Sequence, residues 1–315
     1  MEVFPNYYKE FKCIADKCKH SCCIGWEIDI DESSLSFYNS LDSQIGKRIR
    51  QNIEGETPHF VLTEEERCPF LNQYGLCDII TECGEDALCD ICRLHPRFSN
   101  YYSDFHETGL GLCCEEASRI IILNKEKFSI IFPDGLTVTG EEKSFFDIRN
   151  NVFSILQNRK KTIRERFDSL SKVFGFEFSF SLSKLCDIYL SLERLDEKWT
   201  FMLDDLKQYC LDDSVFENSE LQIPFEQLSC YFVFRHMSDA LWYGDYAQRV
   251  AFTLMSCYLI GALWSEYIDA NGSIKQEDII EIVRIYSSEV EYSEDNMERL
   301  LCHCKDTIVS DVLSI

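Results

Sequence analysis

Cys18-Lys19-His20-Ser21-Cys22-Cys23-Ile24-Gly25-Trp26 is the stretch on which the reading of this chain turns. It puts three thiols on one short loop, and it does not stand alone. Eleven of the 17 cysteines lie in the first 114 residues, in tight groups. Cys13 precedes the stretch; Cys68 and Cys77, then Cys83, Cys89 and Cys92, then Cys113 and Cys114 follow it. Closely spaced thiolates let a loop wrap a metal and present several soft ligands, which favours iron–sulfur clusters or zinc. A metal centre is therefore expected in the N-terminal third. The six cysteines from Cys186 onward are scattered, as buried small hydrophobes are.

The spacing narrows the choice. A structural zinc site would show two C-x2-C knuckles, and only Cys89–Cys92 has that spacing. A radical-type cluster is marked by C-x3-C-x2-C; Cys18 and Cys22 supply the first half, but the next cysteine is Cys23 and position 25 is Gly. Adjacent Cys22 and Cys23 do not readily share one tetrahedral ion. Iron–sulfur, as a 4Fe-4S cluster, is the favoured reading and zinc the alternative. A secreted disulfide framework would need an export signal, and Met1-Glu2-Val3-Phe4-Pro5-Asn6 has no basic segment followed by an apolar run. A cytoplasmic metal-binding protein is expected.

The formal net charge of −24 repels phosphate backbones and anionic lipid, so neither nucleic acid nor a membrane is an expected partner. Such acidity serves solubility, or it makes a field that attracts a lysine-bearing substrate. The longest apolar stretch, Val250 to Trp264, is shorter than the ~20 residues that span a bilayer and reads as a buried core helix.

The periodicity predicts a mainly α fold. Residues 1–126 read as a loop-rich cysteine region with short helices, one of them from Ser33 or Ser34 to about Asn52. Residues 127–140 read as an extended connector with a turn at Pro133-Asp134-Gly135. Residues 141–315 read as an all-α domain on which the cysteine region packs. Its helical faces are Phe145, Ile148, Val152, Ile155 and Leu156, and Leu182, Leu185, Ile188, Tyr189, Leu192 and Leu195. Further helices are expected at 225–242, 246–267, 276–288 and 295–312, with Asn271-Gly272 a stop between two of them.

Phe11-x-Cys13, Cys18-x3-Cys22-Cys23-x2-Trp26, Cys68-Pro69-Phe70-Leu71, Leu76-Cys77-x-Ile79, Gly84-Glu85 and Leu88-Cys89-x2-Cys92-Arg93-x2-Pro96-Arg97 together resemble the flagellin lysine-N-methylase family. Cys114-x-Glu116-Ala117-x-Arg119 is similar to the family's later Cys-Pro-Glu-Ala-Ala-Arg stretch, with Glu115 for the proline and Ser118 for an alanine. The resemblance covers about residues 7–125. It implies methylation of lysine ε-amines of flagellin, or of another lysine-bearing protein, with S-adenosylmethionine as donor and an iron–sulfur cluster in the protein. Carried over by position, the metal cysteines are Cys13, Cys18, Cys22, Cys23, Cys68, Cys77, Cys92 and Cys114. Eight exceed the four that one 4Fe-4S cluster needs, so either two centres exist or some positions are structural. Cys83 and Cys113 read as additions, and Cys89 is intermediate.

No Gly-x-Gly-x-x-Gly turn is present, so the donor must bind in some other way than on a Rossmann fold. The enzyme must desolvate the amine, lower its pKa and align it with the methyl. Tyr7, Tyr8 and Glu116 are the candidates around the amine. Arg93 and Arg97, with Trp26, are the candidates for the donor, the arginines for its carboxylate. Both arginines would serve equally to pair with Glu115, Glu116 or thiolates, and His95 beside Pro96 reads as a packed loop residue. Two other functions fit the same thiols: a metal-binding interaction module without catalysis, and a redox protein whose cluster passes electrons.

Overall fold

The computed structural model describes residues 1–312, which are mainly helical with small sheets. In chain order the elements begin with β1 (Glu2–Pro5), α1 (Glu32–Ser40), α2 (Gln44–Gln51), β2 (Ile53–Glu54), β3 (His59–Phe60), α3 (Asp78–Cys83) and α4 (Asp90–Leu94). There follow β4 (Arg97–Tyr101), β5 (His106–Leu110), α5 (Glu115–Ile122), β6 (Ile130–Ile131), α6 (Gly140–Leu156), α7 (Ile163–Val173), α8 (Leu182–Leu190) and α9 (Glu197–Gln208). The last are α10 (Gln222–His236), α11 (Ala240–Tyr243), α12 (Tyr246–Asn271), α13 (Gln276–Val290) and α14 (Glu294–Val312).

The chain forms two compact units. One contains residues 1–11, 99–113 and 117 onward; the other contains residues 12–98 and 114–116. In the first unit α12 is buried from Arg249 to Ser265, the whole apolar stretch singled out in the sequence. A helix that is apolar all round has no solvent face and must be surrounded. Here α7, α9, α10, α13 and α14 pack against it. At Gly272, where φ is +79°, the chain adopts the left-handed conformation that glycine takes without strain, and its N–H bonds the Ile268 carbonyl at 2.7 Å. The expected stop is there.

A four-stranded sheet of order β4-β5-β1-β6 belongs mainly to this first unit. Strand β1 pairs in parallel with β5, Val3 opposite Glu107, and antiparallel with β6, Phe4 opposite Ile131. Partners about a hundred residues away are invisible to local periodicity. Glu107 is wholly buried and is met by an equally buried Arg149 from α6. Arg149 donates to both carboxylate oxygens, one at 2.8 Å, and Tyr102 donates to Glu107 at 2.9 Å. The guanidinium also lies 4.6 Å from the Phe146 ring centre and 4.9 Å from that of Phe145. This pairing, with ring faces around the cation, is what lets a charge stay inside an apolar core.

Three helical expectations need correction, the first being 225–242, where α10 ends at His236 and α11 begins at Ala240. The run from Ser33 to Asn52 is two helices, because Ser43 caps α2 by accepting the Gly46 N–H at 3.2 Å and so starts it anew. The face that included Leu195 ends with α8 at Leu190, and Leu195 is exposed. Helices α7 and α9 were not anticipated. The signal for α7 was a Thr162-x-x-Glu165 capping box, whose two reciprocal bonds measure 3.3 and 2.8 Å.

Removing one partner of the buried pair isolates a charge. Glu107→Ala is expected to destabilise the fold by about 3–5 kcal/mol in urea unfolding, and Glu107→Ala/Arg149→Met to recover most of that loss. A single variant that unfolds with the parent would show that the pair contributes nothing.

Candidate metal centre

The second unit is built around thiols. Residues 23–30 and 58–68 run antiparallel: Phe60 N–H bonds Ile28 O at 3.0 Å, Ile24 bridges Arg67, and Cys68 N–H bonds Cys23 O at 2.8 Å. That last bond joins two of the cysteine groups directly. Gly25, with φ +85°, turns the chain there, and its N–H reaches Glu66 O at 2.9 Å. Beyond Cys68 the chain folds back so that Leu71 bridges Cys77. The Asn72 side chain holds this return, accepting from Tyr74 and Leu76 N–H and donating to Asp78 at 2.9 Å. Arg48 then donates to Asp78 at 2.6 Å.

The core beneath includes Ile28, Tyr38, Ile49, Phe60 and Phe70, and two thiols, Cys68 and Cys89, are buried in it. Cys23, Cys77, Cys83 and Cys92 pack against it. The segment bearing Cys89 and Cys92 is positioned by Asp31. One oxygen of that carboxylate accepts Ser34 N–H at 2.9 Å, capping α1, and the other accepts Asp90 N–H at 2.9 Å, at the start of α4. Burial pushes the Asp31 carboxyl up, but the hydrogen bonds from Ser33, Asp90 and Ser34 outweigh it and hold the pKa well below the usual carboxylate range.

Two neighbourhoods of thiols result. Cys68 lies within electrostatic reach of Cys23, Cys77 and Cys89, and Cys92 within reach of Cys89, Cys23 and Cys68. Cys22 is influenced by Cys23, Cys13 and Cys114, and Cys18 by Glu115 and Cys114. Glu115 accepts the Lys19 N–H at 2.8 Å and lies 3.7 Å from the Cys18 sulfur. The adjacent residues Cys22 and Cys23 join the two, because their thiols are hydrogen-bonded to each other. Burial pushes Cys68 up to about 12 and Cys18 up to about 11. A hydrogen bond from the Cys22 thiol lowers Cys23 to about 7, and one from Cys92 lowers Cys89. Among the described residues no three Cys, His, Asp or Glu side chains are already closed around a metal-sized point. The donor set itself, four or five soft sulfurs drawn from three loops, is of the kind that holds iron–sulfur clusters or zinc.

The eight expected metal cysteines all lie in this unit. Cys89, left as intermediate in the sequence, sits deepest, and its C-x2-C spacing to Cys92 was the signal. Cys113 goes elsewhere: its thiol lies 3.0 Å from the Tyr292 hydroxyl in the helical unit. Trp26 donates to the Cys22 carbonyl and lies 6.1 Å from the His95 ring. Burial lowers His95 to about 4, which fits a packed loop residue. Arg93 pairs with Asp90. Arg97 and Glu116 lie in the same unit. Tyr7 and Tyr8 lie in the other unit. Tyr8 stacks on Phe4 at 5.4 Å. Tyr7 is 1% exposed, packs on Phe128, and its hydroxyl has no hydrogen-bond partner among the described residues. A side chain so enclosed does not reach solvent.

The helical half identifies the lineage. A family model described as the FliB lysine N-methylase C-terminal domain matches residues 147–314, more than half of the chain. This protein belongs to the FliB lysine N-methylase family. Among curated relatives, the flagellar biosynthetic protein FliU of Salmonella muenchen is 28% identical over 149 residues, covering 45% of this chain and 83% of that protein. The lysine-N-methylases of Salmonella typhimurium and Salmonella choleraesuis are each 23% identical over 140 residues, 40% of this chain. The chain spans only 33% of the length of those two relatives in the matched region. No solved structure matches. No helix among the described residues is long and apolar enough to cross a membrane.

The Asp31 carboxylate gives a test with a definite sign. Its folded pKa lies below the unfolded value of about 3.9, so its contribution is complete above that value and is lost as pH falls through the folded one. Asp31→Ala is expected to cost about 2 kcal/mol at neutral pH, read by urea unfolding. The deficit relative to the parent should shrink below about pH 4. A deficit that does not change with pH would mean that the carboxylate's charge plays no part.

Proposed function

We propose that this chain methylates lysine ε-amines of flagellin, with S-adenosylmethionine as donor, and that its thiol-rich unit holds an iron–sulfur cluster. The single observation that carries this is the family match over residues 147–314, joined to a second unit in which cysteines from distant parts of the chain converge. The relatives' names, lysine-N-methylase and flagellar biosynthetic protein, support the substrate. We place the activity in the cytoplasm, where flagellin is synthesised and thiols stay reduced.

The transfer needs a neutral amine aligned with an electrophilic methyl, which S-adenosylmethionine supplies. The nitrogen–carbon bond forms as the sulfur–carbon bond breaks, and the amine proton passes to a base or to water. Within the thiol-bearing unit Glu116 remains the candidate to receive or orient it, and Trp26, Arg93 and Arg97 those to hold the donor. Four of Cys23, Cys68, Cys77, Cys89 and Cys92 would supply the ligands of a 4Fe-4S cluster, with Cys13, Cys18, Cys22 and Cys114 as the remaining family positions. A cluster there would fix the loops that bear those residues, whose free ends otherwise cost closure entropy.

Protein prepared without oxygen is expected to contain iron and acid-labile sulfide. Cys92→Ala should lose both and melt lower, whereas Cys186→Ala, in the helical unit, should keep both. Stoichiometric zinc without sulfide would replace the cluster by zinc. Flagellin incubated with cluster-replete protein and S-adenosylmethionine should gain about 14 daltons per added CH2 on lysine, read by mass spectrometry. No gain, together with no calorimetric binding of the donor, would overturn the enzymatic reading.

A further inference from the structure

Helices α9, α12 and α13 enclose a groove of about 350 Å3 within the family-matched half. Its floor is apolar, formed by Met202, Leu263, Ile282 and Ile285, and Phe201 stands at its lip with 64% of its surface exposed. Lys198, Tyr267 and four carboxylates line the remainder, and the carboxylates are not equivalent. Glu281 is occupied by Lys198 at 3.3 Å and Arg284 at 2.8 Å. Asp278 accepts the Lys275 N–H at 3.1 Å at the start of α13 and a hydrogen bond from Tyr267. Asp205 and Glu266 have no cationic partner among the described residues. Burial raises the Glu266 pKa, and the nearby charges of Asp205 and Asp269 raise it further. Asp269 is taken up by the Tyr209 hydroxyl at 2.6 Å. Two like charges therefore share the groove, and its basic lining residue, Lys198, is paired with Glu281.

A lysine side chain answers both features. Its methylene stem covers apolar surface while its ammonium stays at the polar edge. We propose that this groove docks a lysine of the protein substrate, the stem on Leu263, Ile282 and Met202 and the ammonium between Asp205 and Glu266. This rests on the reading that the substrate is a lysine-bearing protein. The docked lysine is not the one that reacts. Two carboxylates stabilise the ammonium form, whereas methyl transfer needs the neutral amine. The groove therefore recognises a second lysine on the substrate surface and holds the substrate while another is methylated.

The test uses the full chain, a short fluorescent peptide bearing lysines, and the same peptide acetylated on every lysine. Anisotropy titration should show the parent binding the lysine peptide and losing it on acetylation. Asp205→Asn/Glu266→Gln should weaken that binding roughly 10-fold. Asp42→Asn/Glu56→Gln, the same charge change at exposed sites in the thiol-bearing unit, should leave it within about 2-fold. Equal binding of the acetylated peptide, or equal loss in both double variants, would overturn the groove. The flagellin assay separates the two proposals. If no methyl is transferred while the peptide preference and its loss in Asp205→Asn/Glu266→Gln persist, the activity falls and the groove stands. If methylation proceeds with an unchanged KM in that variant, the groove falls and the activity stands.

Discussion

The Asp31 carboxylate accepts Ser34 N–H through one oxygen and Asp90 N–H through the other, so the order of the thiol-bearing unit passes through a single side chain. The start of α1 and the start of the Cys89–Cys92 helix cannot move apart without leaving two backbone donors unsatisfied. The backbone bond from Cys68 to Cys23 adds a second tie, and the Asn72 turn a third. Protein–protein hydrogen bonds thus bring together the segments that bear five sulfurs. A metal that binds there meets a partly ordered set of ligands and loses less conformational entropy in gathering them.

The helical unit reaches order by a different route. Its central helix is buried from Arg249 to Ser265, and among the charges buried around it or beside it are three carboxylates. Glu107 meets Arg149, Glu226 is held by Arg166 at 2.8 Å and Arg159 at 2.7 Å, and Glu291 sits among His236, Tyr231 and Arg235. Apolar packing alone is tolerant of sliding, since one methyl replaces another at little cost. A buried carboxylate is not tolerant, because only one position satisfies it. Together the pairs fix the register of helices that hydrophobic contact would leave adjustable.

Much of this was legible in the chain. The long apolar run 250–264 required a surrounded helix, Asn271-Gly272 required its end, and the clustered cysteines required convergence. Parts of the fold were not legible, for physical reasons. The β1–β5 pair depends on residues 2 and 106, a separation that no local pattern encodes. Ser43 looked like one polar residue inside a helical run, and only its cap bond reveals a break. Tyr7 looked available because tyrosines often face sites, while its neighbour Phe128 lies far along the chain and encloses it. Asp31 caps α1 through one oxygen, while its second oxygen answers a residue 59 positions away. At the site, residue type was informative about ligands and uninformative about which thiols share a neighbourhood.

The internal ion pairs also bear on how the helical unit responds to heat. Moving charged groups out of water is costly at room temperature because their hydration is strong. That hydration carries a negative entropy, so the cost declines as temperature rises. Hydrophobic stabilisation per unit area levels off over the same range. A core that mixes rings with enclosed guanidinium–carboxylate contacts therefore gives up some cohesion in the cold and retains more of it in the heat than an all-hydrocarbon core of equal size. Glu107, Glu226 and Glu291 shift part of the unit's thermal resistance from oil-like contacts to electrostatic ones.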